Sequence, residues 1–372
     1  MPDSNTLEDL SIDEVEDAKN VTDDSESDES AAPVRYSITS YGADPDVDGL
    51  VKRLRRKEIF VPPFQREYIW SLKEASRFIE SLLLGLPVPG VFLAKEDDTN
   101  KLLVIDGQQR LKTLLFFYDG VFNPKEDDTT QKVFKLTDVQ PHLEGLTYKT
   151  LPEKDRIELD NGIIHATIVK QDSPADDDTS IYHIFERLNS GGRRLTHQEI
   201  RTATYHGKLI NLLKRLNNLP EWRTIYGKLS PRLKDQELIL RFFALLYWAD
   251  RYERPMSEFL NKFAAKHRHL DDKTQEQWAK TFGAVVHIIF STLSGSAFRP
   301  ERSLNAAVFD SIMVGIARRL QSSPIEPSEL KAAYDLILVD PPYQHATSRA
   351  TADNTSVEAR LGAATAAFAT KG

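Results

Sequence analysis

Leu103-Val104-Ile105-Asp106-Gly107-Gln108-Gln109-Arg110-Leu111-Lys112-Thr113-Leu114-Leu115 joins two opposite periodicities. Leu103 to Ile105 are a short, partly β-branched apolar run, which predicts a buried strand. Leu111, Leu114, Leu115 and Tyr118 recur at helical spacing, which predicts a helix that starts at once. Gly107 to Arg110 therefore fall at a strand-to-helix turn and on the first helical turn. Backbone N–H groups there lack intrahelical acceptors and the helix dipole is positive, so the position suits an anion. The guanidinium of Arg110 adds a planar donor fork that matches phosphate. Asp106 has two readings, a magnesium ligand or a helix cap. The plain alternative for the whole stretch is a capped helix with a glycine relieving its turn. Two adjacent glutamines and an arginine on the first turn are more than capping requires.

Upstream, Tyr36 to Thr39 suggest a strand, and Leu50, Val51 and Leu54 share a helical face flanked by Lys52, Arg53, Arg55, Arg56 and Lys57. In Ile59-Phe60-Val61-Pro62-Pro63-Phe64-Gln65-Arg66-Glu67-Tyr68-Ile69-Trp70 the proline pair forces an extended chain. Phe64 and Trp70 suit the core, whereas Gln65 and Arg66 have less structural reason to be there and are candidate binding residues. Ser71 caps a helix through Leu84, stopped by Gly85, Pro87 and Pro89. Val91 to Ala94 make a strand, and Asp97 to Asn100 turn it back into the opening motif.

Downstream, short strand candidates lie near Val133 to Leu136, a polar helix starts near Pro152, and Ile163 to Val169 form a further strand before a polar loop over Gln171 to Asp178. Ile181, Ile184, Phe185 and Leu188 share a helical face that breaks at Asn189-Ser190-Gly191-Gly192. Arg193 and Arg194 follow, and Thr196 with Glu199 forms a capping box. This break reads either as a phosphate-facing corner or as a helix-turn-helix corner with exposed arginines. From about residue 207 every segment reads as helix: 209–216, 236–248, 257–263, 278–293, 304–320 and 328–338. His267-Arg268-His269 read as surface residues, because no ligand pattern surrounds them.

Residues 1–33 hold 12 of the 56 acidic residues and one basic residue, leaving 44 acidic against 47 basic over 34–372. The net charge of −8 thus belongs to a tail with a disordered composition, and the remainder is slightly basic. That tail reads as a solubilising segment, or as an acidic arm competing with nucleic acid for a basic groove. With no cysteine, disulfides and thiolate chemistry are excluded. No apolar run is long enough to span a bilayer and the N-terminus is acidic, so a cytoplasmic location is expected. No phosphate loop of the Walker type, dinucleotide fingerprint or nuclease-type His or Asp cluster is legible.

Three segments, FVPPFQREYIW, LLVIDGQQRLKTL and IFERLNSGGRRLTHQEIR, in this order resemble the N-terminal domain of the GmrSD-type modification-dependent restriction enzymes, of the ParB/sulfiredoxin-like group. The resemblance covers roughly residues 37–205, and SPRLKDQELILRFFALLY at 230–247 is also similar to the family. It implies an α+β fold: a ParB-like domain with a small mixed sheet over 34–205, then an all-α domain over 206–340. An acidic tail (1–33) precedes these, and an Ala/Thr-rich stretch (341–372) follows, with one helix over 357–368 or none.

The resemblance further implies an NTP-hydrolysing function in DNA restriction or phage defence, linked to the DGQQR motif. It makes Asp106, Gln108, Gln109 and Arg110 catalytic. Gln65, Arg66, Gly107, Asn189, Arg193 and Arg194 join Arg110 as phosphate-binding residues, and Asp106 and Asn189 become ligands for Mg²⁺. Glu199 falls where ParB-like nucleotide-binding proteins place a Glu. Many restriction members add a His-Me-finger nuclease. That pattern is not legible here, so the expectation is a sensor or regulatory subunit working with a separately encoded nuclease, or a stand-alone relative with another role. The implied partners are a nucleoside triphosphate, modified DNA, the nuclease subunit and a second copy of the chain. The competing readings are a DNA-binding module without hydrolysis, held by the basic helix and Arg193-Arg194, and a metal-dependent DNA nickase.

Overall fold

The computed structural model describes residues 21–23, 37–61, 68–96, 99–124, 131–173, 179–188, 195–293 and 295–369. The chain divides into an α/β unit (Tyr36–Ala175 and Ser180–Arg194) and a helical unit holding Met1–Arg35, Asp176–Thr179 and Leu195–Gly372. Strand β1 (Val21–Thr22) belongs to the helical unit.

The α/β unit is built on a five-stranded mixed sheet. Its strands are β2 (Ser37–Ala43), β3 (Ile59–Phe60), β4 (Val91–Lys95), β5 (Leu102–Asp106) and β6 (Ala166–Ser173), in the order β2-β6-β4-β5-β3. The middle strand β4 is antiparallel to β5 and parallel to β6. Four helices cover the sheet's core. In α1 (Val47–Arg55), the Asp46 side chain caps the first turn, and Val47, Leu50 and Val51 are buried. A full capping box between Ser71 and Glu74 starts α2 (Leu72–Leu83), which buries Phe78 and Ile79. In α3 (Gln108–Asp119), Leu111, Leu114, Phe117 and Tyr118 are buried, and Gly120 ends the helix at φ +78°. The fourth helix, α4 (Glu153–Asp160), is polar and buries Leu159. A fifth, α5 (Thr179–Leu188), buries Ile181, Tyr182 and Phe185.

Two expectations change here. Gln171 to Ser173 are not a loop but the end of β6, because Ser37 and Ile38 of β2 supply backbone partners that polar residues use as well as apolar ones. Val133 makes one bridge, to Val121, rather than a strand, while Phe134 and Leu136 serve as core plugs.

The helical unit contains α6 (His197–Thr204), α7 (Lys208–Asn217), α8 (Pro220–Tyr226), α9 (Lys234–Trp248), α10 (Met256–Lys266), α11 (Asp272–Leu293), α12 (Ala306–Ser322), α13 (Pro327–Leu338), α14 (Pro341–Ser348) and α15 (Asn354–Ala367). Helix α6, expected in the preceding domain, packs on α9 and α10, where buried Arg201 donates to Asn261 at 2.9 Å. The Ala/Thr-rich end is part of this core: Tyr343, Val357, Leu361, Ala364 and Phe368 are buried in it. Small residues let α12 and α15 approach so closely that a Cβ on Gly315 would lie 2.9 Å from the Ala364 backbone.

The unit is not purely helical. Val21 and Thr22, expected in a disordered tail, pair in parallel with β7 (Leu304–Asn305). Nor is His267 a surface residue. Its ring centroid lies 4.2 Å from that of Phe263 and 5.3 Å from that of Trp278, and its Nδ1 lies 2.8 Å from the Phe263 carbonyl. Among the described residues no helix is long and apolar enough to cross a membrane.

Candidate functional site

The β5–α3 turn is fixed by Gly107, whose φ of +97° is unfavourable for any residue with a Cβ. Space makes the same demand, since a Cβ there would sit 2.5 Å from Val91 Cγ1 on β4. The backbone of this turn therefore lies directly against the neighbouring strand. Gly107 occupies the cap position of α3, and among the described residues no side chain caps the helix. Asp106 does not act as a cap. Its Oδ2 accepts from Arg110 Nη2 at 2.8 Å, with the Arg110 side chain 15% exposed and that of Asp106 48%. Arg110 Nε is buried and meets no hydrogen-bond acceptor among the described residues. A buried donor left in this way costs about 1–3 kcal/mol, so an acceptor delivered from outside would be favoured.

Gln109 points the other way. Its Oε1 accepts the backbone N–H of Ile69 at 3.1 Å and of Trp70 at 3.4 Å. One turn on, Thr113 Oγ1 donates to the Gln109 carbonyl at 2.7 Å and lies 2.6 Å from the Tyr68 hydroxyl. Because the Thr113 proton is used, Tyr68 must be the donor to it. Burial pushes the Tyr68 hydroxyl up to about 12, against a smaller opposing effect of the Thr113 bond, so it remains a protonated donor. The Tyr68 ring is wedged edge-on against Phe116 at 5.0 Å and Phe122 at 5.7 Å. The motif helix thus grips the chain where it leaves segment 62–67, which carries Gln65 and Arg66. Tyr68 and Thr113 had no sequence signal beyond their places beside the two motifs.

Gln65, Arg66, Asn189, Arg193 and Arg194 lie outside the described residues. Gln108 is the first residue of α3 and half-buried. Glu199 is placed in the helical unit, where its Oε2 accepts from the Thr196 N–H at 2.7 Å and forms an ion pair with Arg232 at 3.4 Å. That makes it a capping and pairing residue. Among the described residues no group of three or more His, Asp or Glu side chains is placed to hold a metal ion. The basic face of α1 is partly paired: Arg53 and Arg56 share Glu58, Lys52 pairs with Asp48, and Arg55 pairs with Asp119.

A small mixed sheet whose strand end opens onto a helix N-terminus makes this a mixed α+β domain. Residues 47–206 match the family model described as the GmrSD restriction endonuclease, N-terminal domain. A comparison with curated proteins gives no match.

Proposed function

We propose that the α/β domain binds a nucleoside triphosphate at the β5–α3 turn and releases phosphate from it, as the regulatory part of a DNA restriction or phage-defence system. The observation that carries this reading is the Arg110 guanidinium. It is mostly buried, anchored through Nη2 on Asp106, and left with a buried Nε that meets no acceptor among the described residues, at the start of a helix that no described side chain caps. An oxyanion placed there gains the helix N-terminus and a charged donor together.

Phosphoryl transfer depends on positioning and charge neutralisation more than on covalent chemistry. Arg110 and the amides of the Gly107–Gln109 turn hold the phosphates. Gln108 orients the attacking water, since an amide both donates and accepts. Gln109 positions the segment that brings Gln65 and Arg66 to the nucleotide, and Asn189, Arg193 and Arg194 complete the phosphate contacts. Asp106 fits a magnesium ion: it is half-exposed, and Arg110 engages one of its oxygens, leaving a hard donor for a cation that keeps most of its water. Bound by Asp106 with Asn189, magnesium would supply charge neutralisation on the phosphates. In this reading modified DNA is the regulatory input, and strand cleavage falls to a separately encoded nuclease.

Phosphate release by the purified protein with each NTP and Mg²⁺, with and without DNA, tests the reading. Turnover should be lost in Arg110→Ala and Asp106→Ala. Full turnover in those variants, or neither turnover nor nucleotide binding by the wild type, would overturn it.

A further inference from the structure

Val21–Asp23 come from the segment whose composition reads as a tail, yet they are built into the helical unit. Val21 is 6% exposed and belongs to the unit's apolar core. Val21 and Thr22 pair with Leu304 and Asn305, and the Thr22 hydroxyl bonds that of Ser303. Asp23 then carries a carboxylate inside. Its Oδ2 accepts from Lys234 Nζ at 2.8 Å and from Arg241 Nη1 at 2.9 Å, and its side chain is 3% exposed.

The cations that receive Asp23 have other commitments. Arg241 also holds Asp310 through two bonds, of 3.1 and 2.7 Å, and Asp310 accepts from Arg360 at 3.1 Å. Lys234 donates to Glu237 at 3.0 Å, and Glu237 accepts from Arg201 at 3.2 Å. Burial opposes ionisation of Glu237, but Lys234 and Arg201 outweigh it and hold that carboxyl at about 2, so it stays charged. Among the described residues this connected cluster joins Arg201, Lys234, Arg241 and Arg360 to the carboxylates of Asp23, Glu237 and Asp310. Without Asp23 both Lys234 and Arg241 lose a buried counter-charge, which a dry interior strongly disfavours. Beside the strand, Thr22 forms part of the wall of a cavity of about 530 Å³ with Ser303, Asn305, Tyr343 and Thr347.

Short main-chain pairing that gives affinity, plus a side chain that gives specificity, is how a peptide adds to a strand edge. Here the added residues lie 211 and 218 positions from the cations that read their carboxylate. We propose that the helical unit carries a binding site for an acidic, strand-forming peptide, filled in cis by Val21-Thr22-Asp23 and able to accept the same sequence in trans. This site is independent of the nucleotide reading.

The test is made on the full chain with a specific protease site placed within residues 24–36. After cleavage the N-terminal fragment should co-elute with the body at low ionic strength. It should be displaced by a synthetic peptide spanning residues 15–30, and the same peptide with Asp23→Asn should bind about 100-fold more weakly, as expected for loss of a buried charge partner. Immediate separation of the fragment from a body that stays folded and does not bind the peptide would overturn the proposal. Should the cut protein unfold on release, the intact chain decides. Asp23→Asn should lower Tm by on the order of 10 °C, and adding Lys234→Met should recover part of that loss. Strictly additive losses from the two substitutions would overturn it.

Discussion

Gln109 Oε1 accepts the backbone N–H of Ile69 at 3.1 Å, so the first turn of α3 holds the chain that leaves segment 62–67. Gln109→Ala removes the acceptor for both Ile69 and Trp70 and should cost about 1 kcal/mol, because water reaches the exposed Ile69. Gln109→Glu keeps an acceptor and should hold Tm near the wild-type value, while its charge beside the proposed phosphate site weakens nucleotide binding. Thermal melts and nucleotide titrations of the two variants separate positioning from electrostatics. Equal melting losses in both would contradict the positioning role.

Thr113→Val leaves the buried Tyr68 hydroxyl without the partner it has at 2.6 Å. The cost should be about 1–3 kcal/mol, and adding Tyr68→Phe should recover much of it, since removing both polar groups strands neither. A double-mutant cycle by denaturant unfolding measures the coupling, and a coupling near zero would deny the bond.

Gly107→Ala meets two obstacles, the φ of +97° and the 2.5 Å approach to Val91 Cγ1. It should destabilise by about 1–3 kcal/mol from backbone strain, with overpacking added to that. Combining it with Val91→Ala relieves the contact but not the dihedral, so recovery should be partial. Complete recovery would mean that the turn adopts another conformation.

His267 sits among Phe263, Trp248 and Trp278, and burial lowers its pKa below the ordinary histidine value, the Phe263 carbonyl opposing this only in part. The neutral ring is therefore favoured in the folded state, and the unfolded chain binds the proton more readily. Stability from this site is complete above the unfolded value of about 6.5 and falls as pH drops below it toward the folded value. The fall in Tm from pH 7 to 5 should be smaller in His267→Gln than in the wild type. Identical slopes would show that His267 does not contribute.

The strand-turn-helix at 103–118 was legible because two clean periodicities meet at a glycine, and the cap at Ser71 and the capping box at Thr196 because their side-chain chemistry is local. What escaped depends on distant partners. Val21-Thr22 looks like tail until Leu304 offers a strand edge and Lys234 a charge. Gln171 to Ser173 look like loop until β2 pairs with them. Helix α8, only Pro220–Tyr226, is too short to show a period, yet Trp222 and Ile225 bury it. At the site, the glycine turn from strand into helix could be read from residue order, whereas the grip of Gln109 on Ile69 could not, because a side-chain bond to a backbone forty residues away leaves no trace in spacing.

The central claim, that the β5–α3 turn is a nucleotide phosphate site, is tested most directly by titrating a non-hydrolysable NTP analogue with Mg²⁺ into wild-type protein and Arg110→Ala. The account predicts saturable binding by the wild type and a loss of at least about tenfold in the variant, in line with the removal of a charged hydrogen-bond donor. Equal affinity in a folded Arg110→Ala protein would contradict it and leave the Asp106–Arg110 pair as a brace for the turn.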